Sequence, residues 1–486
     1  MNGHEVAVTI ARLGATPHSI TADSRQVLPG CAFAAYRGRR VDGRDHIGEA
    51  VARGASAVLW DDGEHFAWKP EWQVANAPVP QLQAKLGEIS SFVLGDPSQA
   101  MWVVGVTGTN GKTSCAQWIA AALDAPGKRC AVIGTLGNGF PGALQPSPNT
   151  TPDAAALQAE LARLHRAGAT SVVLEVSSHG LDQGRVNGVA FDVALFTNLT
   201  RDHLDYHATM AAYGNAKARL FAWPGLRMSV VNIDDAFGQH LADAIRARGA
   251  PLMTYGRISG DVRATAVAMN DQGITLDVET PQGGGRLHAP VIGDFNVHNL
   301  LGTLAALLAS DLPLVEALRA LGNIHAPPGR MQRLGGQGKP IAVIDYAHTP
   351  DALEKALLAL RTVVAEGGEL TCVFGCGGDR DPGKRATMGE IAARLADRIV
   401  ITNDNPRSED PQAIANAIAK GVRDAGNPRW TVELDRATAI HDAVAAADLG
   451  DVVLIAGKGH ETYQEIRGVR TPFVDADVAN EALARR

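Results

Sequence analysis

Short, continuous apolar runs recur through most of this chain, and they constrain its fold more than any other feature. Each run holds five or six residues, and a segment with helical character follows it. Strands that are apolar on both faces are typical of a mainly parallel sheet that helices cover on both sides. The sequence therefore predicts an α/β fold, with strands at 101–106, 130–134, 171–176, 191–196, 228–233, 341–345, 370–375, 398–402 and 451–456.

The length of the chain and its changes of pattern predict three domains. A domain typically holds about 150 residues, and this chain has 486. A basic segment rich in proline and glycine at 323–340 marks one boundary, and residues 261–292 before it alternate like antiparallel strands, with the glycines at 283–285 as a turn. The predicted domains are a smaller N-terminal α/β domain at 1–98, a central domain with a mainly parallel sheet at 99–331 and a doubly wound C-terminal domain at 332–486.

The segment GVTGTNGKTS at 105–114 follows the first strand of the central domain. A glycine-rich loop between a strand and a helix presents backbone N–H groups and the helix dipole to a polyphosphate. Lys112 is placed to reach the β- and γ-phosphates, and the Thr113 hydroxyl to bind Mg²⁺. The strict pattern G-x-x-x-x-G-K-[ST] requires glycine at position 106, where this chain has Val106. The segment is therefore a variant phosphate-binding loop.

Polar groups follow two further strands of the central domain. Glu175 lies at the end of one strand, where its carboxylate is suited to a metal ion, directly or through water. Four titratable residues gather within six positions after another strand, at Asp202, His203, Asp205 and His207. Such a cluster beyond a strand end predicts a functional site, because ligands of these sheets bind at the carboxyl ends of the strands.

Two details of the central domain are interpreted from the residues alone. Lys217 lies in the helical segment AYGNAKARLF, and its composition indicates a solvated helix lysine. Thr151-Pro152 predicts the start of a helix, with the Thr151 hydroxyl as the cap and Pro152 at the first helical position.

Three loops of the C-terminal domain carry mixed charges directly after strands. They place Arg380 in FGCGGDRDPGKR, Asp404 and Arg407 in TNDNPRSEDP, and Lys458, His460 and Glu461 in AGKGHETYQ. An arginine binds a carboxylate through paired hydrogen bonds, whereas aspartate and glutamate receive an ammonium group. The three loops together predict a pocket for a zwitterionic ligand.

Several classes of protein are disfavoured. The net charge of −7 argues against a broad nucleic-acid-binding surface. Five cysteines do not form a disulfide framework, and Cys372 and Cys376 lack a second pair of ligands at zinc-binding spacing. The N-terminus is unlike a secretory signal, and no apolar run reaches the ~18 residues of a membrane span. We expect a cytoplasmic protein that neither inserts into membranes nor binds nucleic acid.

An ordered set of motifs resembles the Mur ligases, the ATP-dependent amino-acid ligases of peptidoglycan precursor synthesis. The motifs are TGTNGKT at 107–113, NTTPD at 149–153, EVSSHGL at 175–181, NLTRDHLDYH at 198–207, the Lys217 segment, GDFNVHN at 293–299, PGRMQR at 328–333, DYAHTPD at 345–351 and GKGHE at 457–461. The resemblance covers essentially the whole chain. It implies an N-terminal domain for the UDP moiety, a central P-loop-type ATPase and a Rossmann-like C-terminal domain for the incoming amino acid.

The resemblance also implies a reaction. DNPR at 404–407 matches the signature of the branch that adds diaminopimelate. The implied substrates are UDP-MurNAc-L-Ala-D-Glu, meso-diaminopimelate and ATP, with Mg²⁺ as cofactor. We expect the chain to be a monomer. The D-glutamate γ-carboxylate would be phosphorylated by ATP, and the amine of the amino acid would then displace phosphate.

Roles are carried over by matching positions. Lys112, His203 and Lys217 would be catalytic; Thr113 and Glu175 would hold one Mg²⁺ and His203 the second. Lys217 matches the lysine that this family carbamylates, which reverses the interpretation from composition. Positions facing ATP would be Gly108, Thr109, Asn110, Gly111, Lys112, Thr113, Ser114, Asn299, Arg330 and Asp345. The UDP-MurNAc-dipeptide would contact Ser24, Asn149, Thr150, Thr151, Ser177, Gln183, Arg185 and the backbone at Arg39-Arg40-Val41. Diaminopimelate would contact Arg380, Asp404, Asn405, Pro406, Arg407, Gly457 and Glu461.

Three alternatives remain open at this point. The first is another enzyme of the superfamily, either the ligase that adds D-Ala-D-Ala or folylpolyglutamate synthase, and the DNPR turn speaks against both. The second is a nucleotide-driven switch or motor, whose phosphate release would require a protein partner instead of a carboxylate and an amino acid. The third is a non-catalytic binding module, which would be expected to lack Lys112 or His203, and both are present.

Overall fold

The computed structural model describes residues 3–38, 41–63, 66–125, 127–270, 272–336 and 338–485. Within these residues the chain divides into two compact units. Unit 1 comprises the described residues of Met1–Arg263, Glu279–Gly283 and Asn299–Ala317, and unit 2 those of Ala264–Val278, Gly284–His298 and Leu318–Arg486.

The elements alternate between strand and helix along most of the chain. The strands are β1 Ser19–Thr21, β2 Cys31–Ala35, β3 Ala57–Trp60, β4 Ala75–Pro78, β5 Trp102–Thr107, β6 Arg129–Gly134, β7 Gly137–Phe140, β8 Ala143–Gln145, β9 Ala169–Glu175, β10 Val193–Phe196, β11 Met228–Asn232, β12 Leu252–Gly256, β13 Val262–Asn270, β14 Gly273–Thr280, β15 Gly283–Ala289, β16 Gln332–Gly335, β17 Ile341–Asp345, β18 Leu370–Phe374, β19 Arg398–Ile401, β20 Trp430–Val432, β21 Val452–Ala456, β22 Tyr463–Ile466 and β23 Val469–Pro472.

The helices follow the same alternation. They are α1 Gly3–Leu13, α2 Ile47–Ala52, α3 Leu82–Val93, α4 Lys112–Leu123, α5 Ala154–Arg166, α6 Ser178–Asp182, α7 Leu204–His207, α8 Met210–Ala218, α9 Ala236–Ala247, α10 Phe295–Ala309, α11 Leu314–Leu321, α12 Pro350–Arg361, α13 Lys384–Leu395, α14 Pro411–Asp424, α15 Arg436–Ala446 and α16 Asp475–Ala484. In the described part of the chain, every helix is too short or too polar to cross a membrane.

Unit 1 contains a small and a large sheet. The small sheet has the order β1-β2-β3-β4 with all strands parallel. In the large sheet, hydrogen-bonded neighbours run in the order β12-β11-β10-β5-β9-β6-β7-β8. The strands from β12 to β6 are parallel, and β7 and β8 continue as antiparallel neighbours. This topology brings the carboxyl ends of β5, β9 and β10 side by side, because these three strands are adjacent.

The core of the large sheet consists of the apolar runs read from the sequence. Val104, Val173 and Leu195 are fully buried on three neighbouring strands. Burial of such side chains contributes about 25 cal/mol per Å² of apolar surface, so the continuous runs are what fix the strands inside the unit.

The six-stranded sheet of unit 2 is doubly wound. Its order is β16-β17-β21-β18-β19-β20, parallel except for β16 against β17. One apolar cluster contains residues of α12, α13 and α14 with Phe374, and a second contains residues of α15 and α16 with Val373. Successive residues of β18 therefore face opposite helical layers. The three sheets confirm the α/β class and the three-domain architecture, and the boundaries at 98/99 and 331/332 stay predictions.

Two local predictions are wrong. Helix α5 begins at Ala154, and its cap is Asp153, whose carboxylate accepts from the Ala156 amide. The Thr151 hydroxyl instead donates to the carbonyl of Glu175 in β9, and this tertiary contact is the reason why it does not cap the helix. The three glycines at 283–285 do not form the turn after β14, because Gly283 already begins β15.

Candidate active site

The phosphate-binding loop connects β5 to α4 in unit 1. Gly111 lies at the helix N-cap with φ +84° and offers no side chain to the free N–H groups of the first turn. Gly108 has φ +146°, and a Cβ there would lie 1.8 Å from Thr197 Oγ1. Both glycines are therefore required by conformation and space, and the helix N-terminus faces the loop as anion-binding sites do.

Val106 explains why the loop departs from the strict pattern. It is fully buried in β5 and pairs with Glu175 of β9 and Leu195 of β10. The strand continues to Thr107, so position 106 belongs to the sheet and its backbone does not need the conformational freedom of glycine.

Other predicted residues of the loop are held from neighbouring segments. Thr109 Oγ1 lies 3.1 Å from the Tyr213 hydroxyl and accepts from the Thr200 amide at 3.0 Å. The Asn110 amide donates to Asn198 Oδ1 at 3.0 Å. Ser114 is buried in the first turn of α4. These bonds fix the backbone that would surround a phosphate chain.

Two lysines converge on the loop from different elements. Lys112 Nζ donates to the carbonyls of Gly108 and Thr109 at 2.9 Å and 2.8 Å. Lys217 Nζ donates to the same Gly108 carbonyl at 2.7 Å. Lys217 is 1 % exposed, which contradicts the solvated lysine expected from composition. Helix α8 has no distinct polar and apolar faces, so its sequence does not show which side is buried.

Burial lowers the pKa of Lys217 well below its usual range, and the charge of Lys112 adds to this effect. The Lys217 ammonium also lies 4.4 Å from the centroid of the Tyr213 ring. A buried amine with a lowered pKa has a larger neutral fraction than a surface lysine, and only the neutral amine is a nucleophile.

Glu175 is fully buried at the end of β9. Its Oε2 accepts from the hydroxyls of Thr113 at 2.9 Å and Thr135 at 3.0 Å, and its Oε1 accepts from the Thr135 amide at 2.9 Å. Among the described residues, no lysine, arginine or histidine pairs with this carboxylate. A Cβ at Gly134 would lie 2.2 Å from Oε1, so a glycine is required beside it. An anionic carboxylate held only by neutral donors beside a hydroxyl fits a hard cation such as Mg²⁺.

His203 has a left-handed backbone with φ +52° and a partly exposed side chain. Its Nε2 lies 3.5 Å from Asp202 Oδ2, and its ring centroid is 4.8 Å from that of His179. Burial lowers the pKa of His203, which favours the neutral imidazole that binds metals. The structure described here contains no group of three or more His, Cys, Asp or Glu side chains arranged to hold a metal ion. Any ion at these residues would therefore take further ligands from water or phosphate.

The residues predicted to bind the dipeptide substrate form a network around Thr151. The Thr151 hydroxyl lies 3.1 Å from Ser177 Oγ, and its carbonyl accepts from Arg185 Nη1 at 2.8 Å. Gln183 Oε1 accepts two further bonds from Arg185, at 2.9 Å and 2.8 Å. The guanidinium is thereby fixed against the loop that precedes α5.

Three other predicted contacts of this substrate lie apart from the network. Thr150 Oγ1 is 3.0 Å from Thr135 Oγ1, and Ser24 Oγ donates to Glu49 at 2.9 Å. Asn149 is exposed, and its carbonyl accepts from Ser147. The predicted backbone contact at Arg39 and Arg40 lies outside the described residues.

Asn299 in unit 1 supports the phosphate-binding loop. It is buried, and a Cβ at Gly111 would lie 2.3 Å from its Oδ1. In unit 2, Asp345 ends β17, and its Oδ2 accepts from the Met331 amide at 2.8 Å. Arg330 lies with its guanidinium carbon 4.8 Å from the Tyr346 ring centroid, and its buried Nε has no hydrogen-bond partner among the described residues. Burial raises the pKa of Asp345, and Arg330 opposes this effect.

The turn Asp404–Arg407 follows β19 in unit 2. Arg407 has φ +52°, and its amide donates to the Glu465 carbonyl at 3.0 Å. Its carbonyl accepts from the Arg467 amide, so both sides of the residue are bonded to β22 and the turn after it. The side-chain Nη1 donates to the Gly378 carbonyl at 2.8 Å. The position of this guanidinium is therefore set by the backbone.

The other predicted pocket residues surround this turn. Asp404, Asn405 and Pro406 are buried, and Asn405 Nδ2 donates to Glu461 Oε2 at 2.7 Å. A Cβ at Gly457 would lie 2.6 Å from Asp404 Oδ2. Arg380 is exposed and bonds only weakly to the Asp379 carbonyl, at 3.3 Å, so the structure does not tie it to the turn.

Comparison with known proteins identifies the family. Three family models match: the Mur ligase family catalytic domain over residues 16–93, the Mur ligase middle domain over 106–307 and the Mur ligase glutamate ligase domain over 329–459. The chain belongs to the Mur ligase family. A relative from Chromobacterium violaceum, named UDP-N-acetylmuramoyl-L-alanyl-D-glutamate–2,6-diaminopimelate ligase, is 53 % identical over 98 % of this chain and 96 % of its own.

Solved Mur ligase structures share the fold. One titled as UDP-N-acetylmuramoyl-L-alanyl-D-glutamate–2,6-diaminopimelate ligase has a TM-score of 0.72 at 37 % identity, covering 96 % of this chain and 95 % of its own. The MurF ligase from Thermotoga maritima in complex with ADP has a TM-score of 0.62 at 18 % identity, covering 97 % and 96 %. The second similarity concerns the fold alone.

Several residues that hold the site of this Mur ligase together were not predicted from its sequence. Thr135 donates twice to Glu175, and Tyr213 contacts both Thr109 and Lys217. Thr197 Oγ1 donates to the Asn110 carbonyl at 2.6 Å. Thr135 and Thr197 each come directly after a predicted strand, and this position at a strand end could have marked them as site residues. Tyr213 lies four residues before Lys217 on α8, and such a spacing places both on one helix face.

Proposed function

We propose that this chain joins meso-2,6-diaminopimelate to the γ-carboxylate of D-glutamate in UDP-N-acetylmuramoyl-L-alanyl-D-glutamate, with ATP converted to ADP and phosphate. The product belongs to peptidoglycan precursor synthesis. Support comes from relatives of that name that match nearly the full length of the chain. We further propose that the enzyme acts as a cytoplasmic monomer; its five cysteines are all unpaired and buried, which agrees with a reducing compartment.

The observation that carries the choice of amino acid is the placement of Arg407. The backbone of this residue is bonded on both sides, and its guanidinium is bonded at Nη1 to Gly378. Diaminopimelate has a second carboxylate where lysine has none, and a fixed guanidinium suits that group. A lysine substrate would leave Arg407 without this partner, and an unpaired charge in a pocket lowers affinity.

The phosphate-binding loop, with Lys112 and the N-terminus of α4, would hold the polyphosphate of ATP. Thr113 and Glu175 would hold Mg²⁺, and His203 would hold a second ion. When bound, Mg²⁺ neutralises charge on the phosphate oxygens of the nucleotide. Toward ATP, the roles of Asn299, Arg330 and Asp345 rest on the family resemblance. Asp345 would accept the ribose hydroxyls beside the backbone amides of Met331, Ala347 and Tyr346, which already bond to its carboxylate.

Lys217 would act as a carbamate. The buried ammonium would first lose a proton. The neutral amine would then attack the carbon of CO₂ and lose a second proton, which leaves an anion where a cation had been. The conversion replaces the second positive charge beside the Gly108 carbonyl by a group that attracts Mg²⁺ and the cationic Lys112. The lowered pKa supports the step, because an ammonium does not react with CO₂.

The reaction would proceed in two displacements. A γ-carboxylate oxygen of D-glutamate attacks the γ-phosphorus of ATP, and ADP leaves. The amine of diaminopimelate then attacks the acyl carbon, loses a proton, and phosphate leaves. Lys112 stabilises charge on the transferred phosphoryl group, while Arg185 and the network around Thr151 position the dipeptide.

An amino-acid panel tests this proposal. The purified chain is given ATP, Mg²⁺ and the UDP-muramoyl dipeptide with meso-diaminopimelate, L-lysine or D-Ala-D-Ala, and each ligation product is quantified by mass spectrometry. We expect ADP and product with diaminopimelate and at least about 100-fold lower kcat/KM with lysine. Equal use of lysine would contradict the assigned specificity, and phosphate release without a dipeptide would contradict a ligase.

A further inference from the structure

Lys458 is a fully buried cation beside the turn that carries Arg407. It follows Gly457 at the end of β21, and its side chain has no exposed surface. Burying an ammonium group is unfavourable unless it is paired and hydrogen-bonded. The partners of Lys458 therefore show what this charge does.

The Lys458 ammonium bonds to two side chains that are themselves predicted to contact diaminopimelate. Its Nζ donates to Asn405 Oδ1 at 3.1 Å and to Glu461 Oε2 at 2.9 Å. Asn405 Nδ2 closes the triangle with a bond to the same Glu461 Oε2 at 2.7 Å. The Lys458 Nζ atom also lies 5.5 Å from the centroid of the Tyr463 ring.

This arrangement determines the orientation of the Asn405 amide. Its Oδ1 accepts from the Lys458 ammonium and from the Glu465 backbone amide at 2.9 Å, and both groups are donors only. The amide nitrogen must then point toward Glu461. Asn405 belongs to the turn Asp404–Arg407, and Glu465, which bonds to Asn405, also bonds to the Arg407 amide. A change at Asn405 would therefore affect Arg407 both along the chain and through Glu465.

The arrangement also divides the two oxygens of Glu461. Both bonds within the triangle end on Oε2, so Oε1 is the oxygen left to meet an ammonium group of the ligand. Lys458 itself is out of reach of a ligand because it is buried.

We propose that Lys458 is a positioning residue that sets the affinity for the incoming diamino acid by holding Asn405 and Glu461 in place. This inference rests on the proposed contacts of Asn405 and Glu461 with diaminopimelate. Lys458 has no exposed surface with which to contact ATP or the dipeptide, so the KM for diaminopimelate should change and the KM values for the other two substrates should not.

The first test is Lys458→Met, which keeps an unbranched side chain shorter by one heavy atom and removes the charge. In steady-state kinetics we expect the KM for diaminopimelate to rise about tenfold or more, with the KM for ATP and for the UDP-muramoyl dipeptide within about twofold of the unaltered enzyme. Lys420→Met makes the same change at an exposed position of α14, where Lys420 pairs with Asp424, and should leave all three constants unchanged.

Chemical rescue of a truncated variant distinguishes a positioning role of the Lys458 charge from simple filling of space by its side chain. In Lys458→Ala the deleted atoms correspond to n-propylammonium. Added n-propylammonium should lower the KM for diaminopimelate, whereas n-propanol, which fills the same volume without charge, should not. The product containing diaminopimelate is quantified directly, so that amide formation with propylamine does not count. Equal rescue by the alcohol would overturn the proposal.

Other outcomes are equally decisive. An unchanged KM for diaminopimelate in folded Lys458→Met, or an equal rise for all three substrates, would contradict the positioning role. If that variant does not fold, Lys458→Gln, which retains an N–H donor, takes its place with the same expectation; failure of both to fold would show that the residue serves stability instead. If the unaltered enzyme makes no product with diaminopimelate, the proposed function fails, and this result is distinct from the others.

Discussion

The Nζ atoms of Lys112 and Lys217 donate to one acceptor, the backbone carbonyl of Gly108, at 2.9 Å and 2.7 Å. Two ammonium groups on one oxygen repel each other, and Lys217 is also deprived of solvent. Burial, which is the larger effect, and the charge of Lys112 together lower the pKa of Lys217. Of the two lysines at this loop, Lys217 is therefore the one that loses its proton more readily.

Lys217→Ala should lower kcat by on the order of 100-fold, because the carbamate that we propose is lost. Added formate or acetate should restore part of the activity by occupying the vacated space as an anion. Lys217→Arg is the matched variant: it keeps a positive charge that cannot form a carbamate and should show neither activity nor rescue. Absence of rescue in folded Lys217→Ala, or full activity of Lys217→Arg, would contradict the carbamate.

Arg407→Ala should lower kcat/KM for diaminopimelate by about 100-fold, since one side of a charged pair is removed. ATP binding, measured by calorimetry, should persist. Arg394→Ala, which removes an exposed arginine paired with Glu354 in the same unit, serves as the control and should behave like the unaltered enzyme. Retention of full efficiency in Arg407→Ala would show that another group binds the second carboxylate.

Gly108→Ala should abolish ATP binding and lower the free energy of unfolding by about 2 kcal/mol or more, because φ +146° disfavours a side chain and the new Cβ would meet Thr197 Oγ1. Gly249→Ala introduces the same methyl group at φ +65° with open space around it. That control should cost about 1 kcal/mol and leave activity intact. Urea denaturation and nucleotide titration of both variants provide the comparison, and equal effects would contradict the steric argument.

The His179 pKa is lowered to about 4 by burial and by His203 and His207 nearby. As the pH falls below the ordinary histidine range near ~6.5, the unfolded chain takes up a proton that the folded chain does not. The free energy of unfolding should therefore decrease between about pH 6.5 and pH 4. Urea denaturation at several pH values should show a shallower decrease for His179→Phe, whereas His240→Phe at an exposed site should leave the slope unchanged. An unaltered slope in the first variant would refute this contribution.

Arg436 and Asp475 form a completely buried ion pair with bonds of 2.7 Å, and Arg436 also donates to the carbonyls of Asn403 and Ala456. Arg436→Met should reduce the free energy of unfolding by about 3–5 kcal/mol, because Asp475 is left as a buried charge without its partner. The double variant Arg436→Met/Asp475→Leu should be less destabilised than the single one. A purely additive double-mutant cycle would mean that the two residues are not coupled.

The strands of the large sheets could be predicted from the sequence, because a continuous apolar run is recognised from neighbouring residues alone. Predictions for single side chains were wrong where the side chain bonds to an element distant in the sequence. Thr151 bonds to Glu175 and not to its own helix, and Lys217 is buried by contacts with Gly108 and Tyr213. The edge strand β16 lies in the segment 323–340, which the sequence marks as a domain boundary. Its four residues carry no apolar alternation and pair with β17, so the sequence alone does not predict a strand there. Orientation of the Asn405 amide likewise depends on Lys458, fifty-three positions away.

The bonds that tie Arg407 to β22 have a consequence for how such enzymes diversify. The guanidinium is anchored through its own peptide groups to Glu465 and Arg467, far downstream in the chain. On the role that we propose for Arg407, transfer of residues 404–407 alone into a homologue that uses lysine would therefore not transfer the preference, because the bonds to Glu465 and Arg467 would be missing. A successful exchange of preference would require the turn and the hairpin β22–β23 to be transplanted as a single cassette.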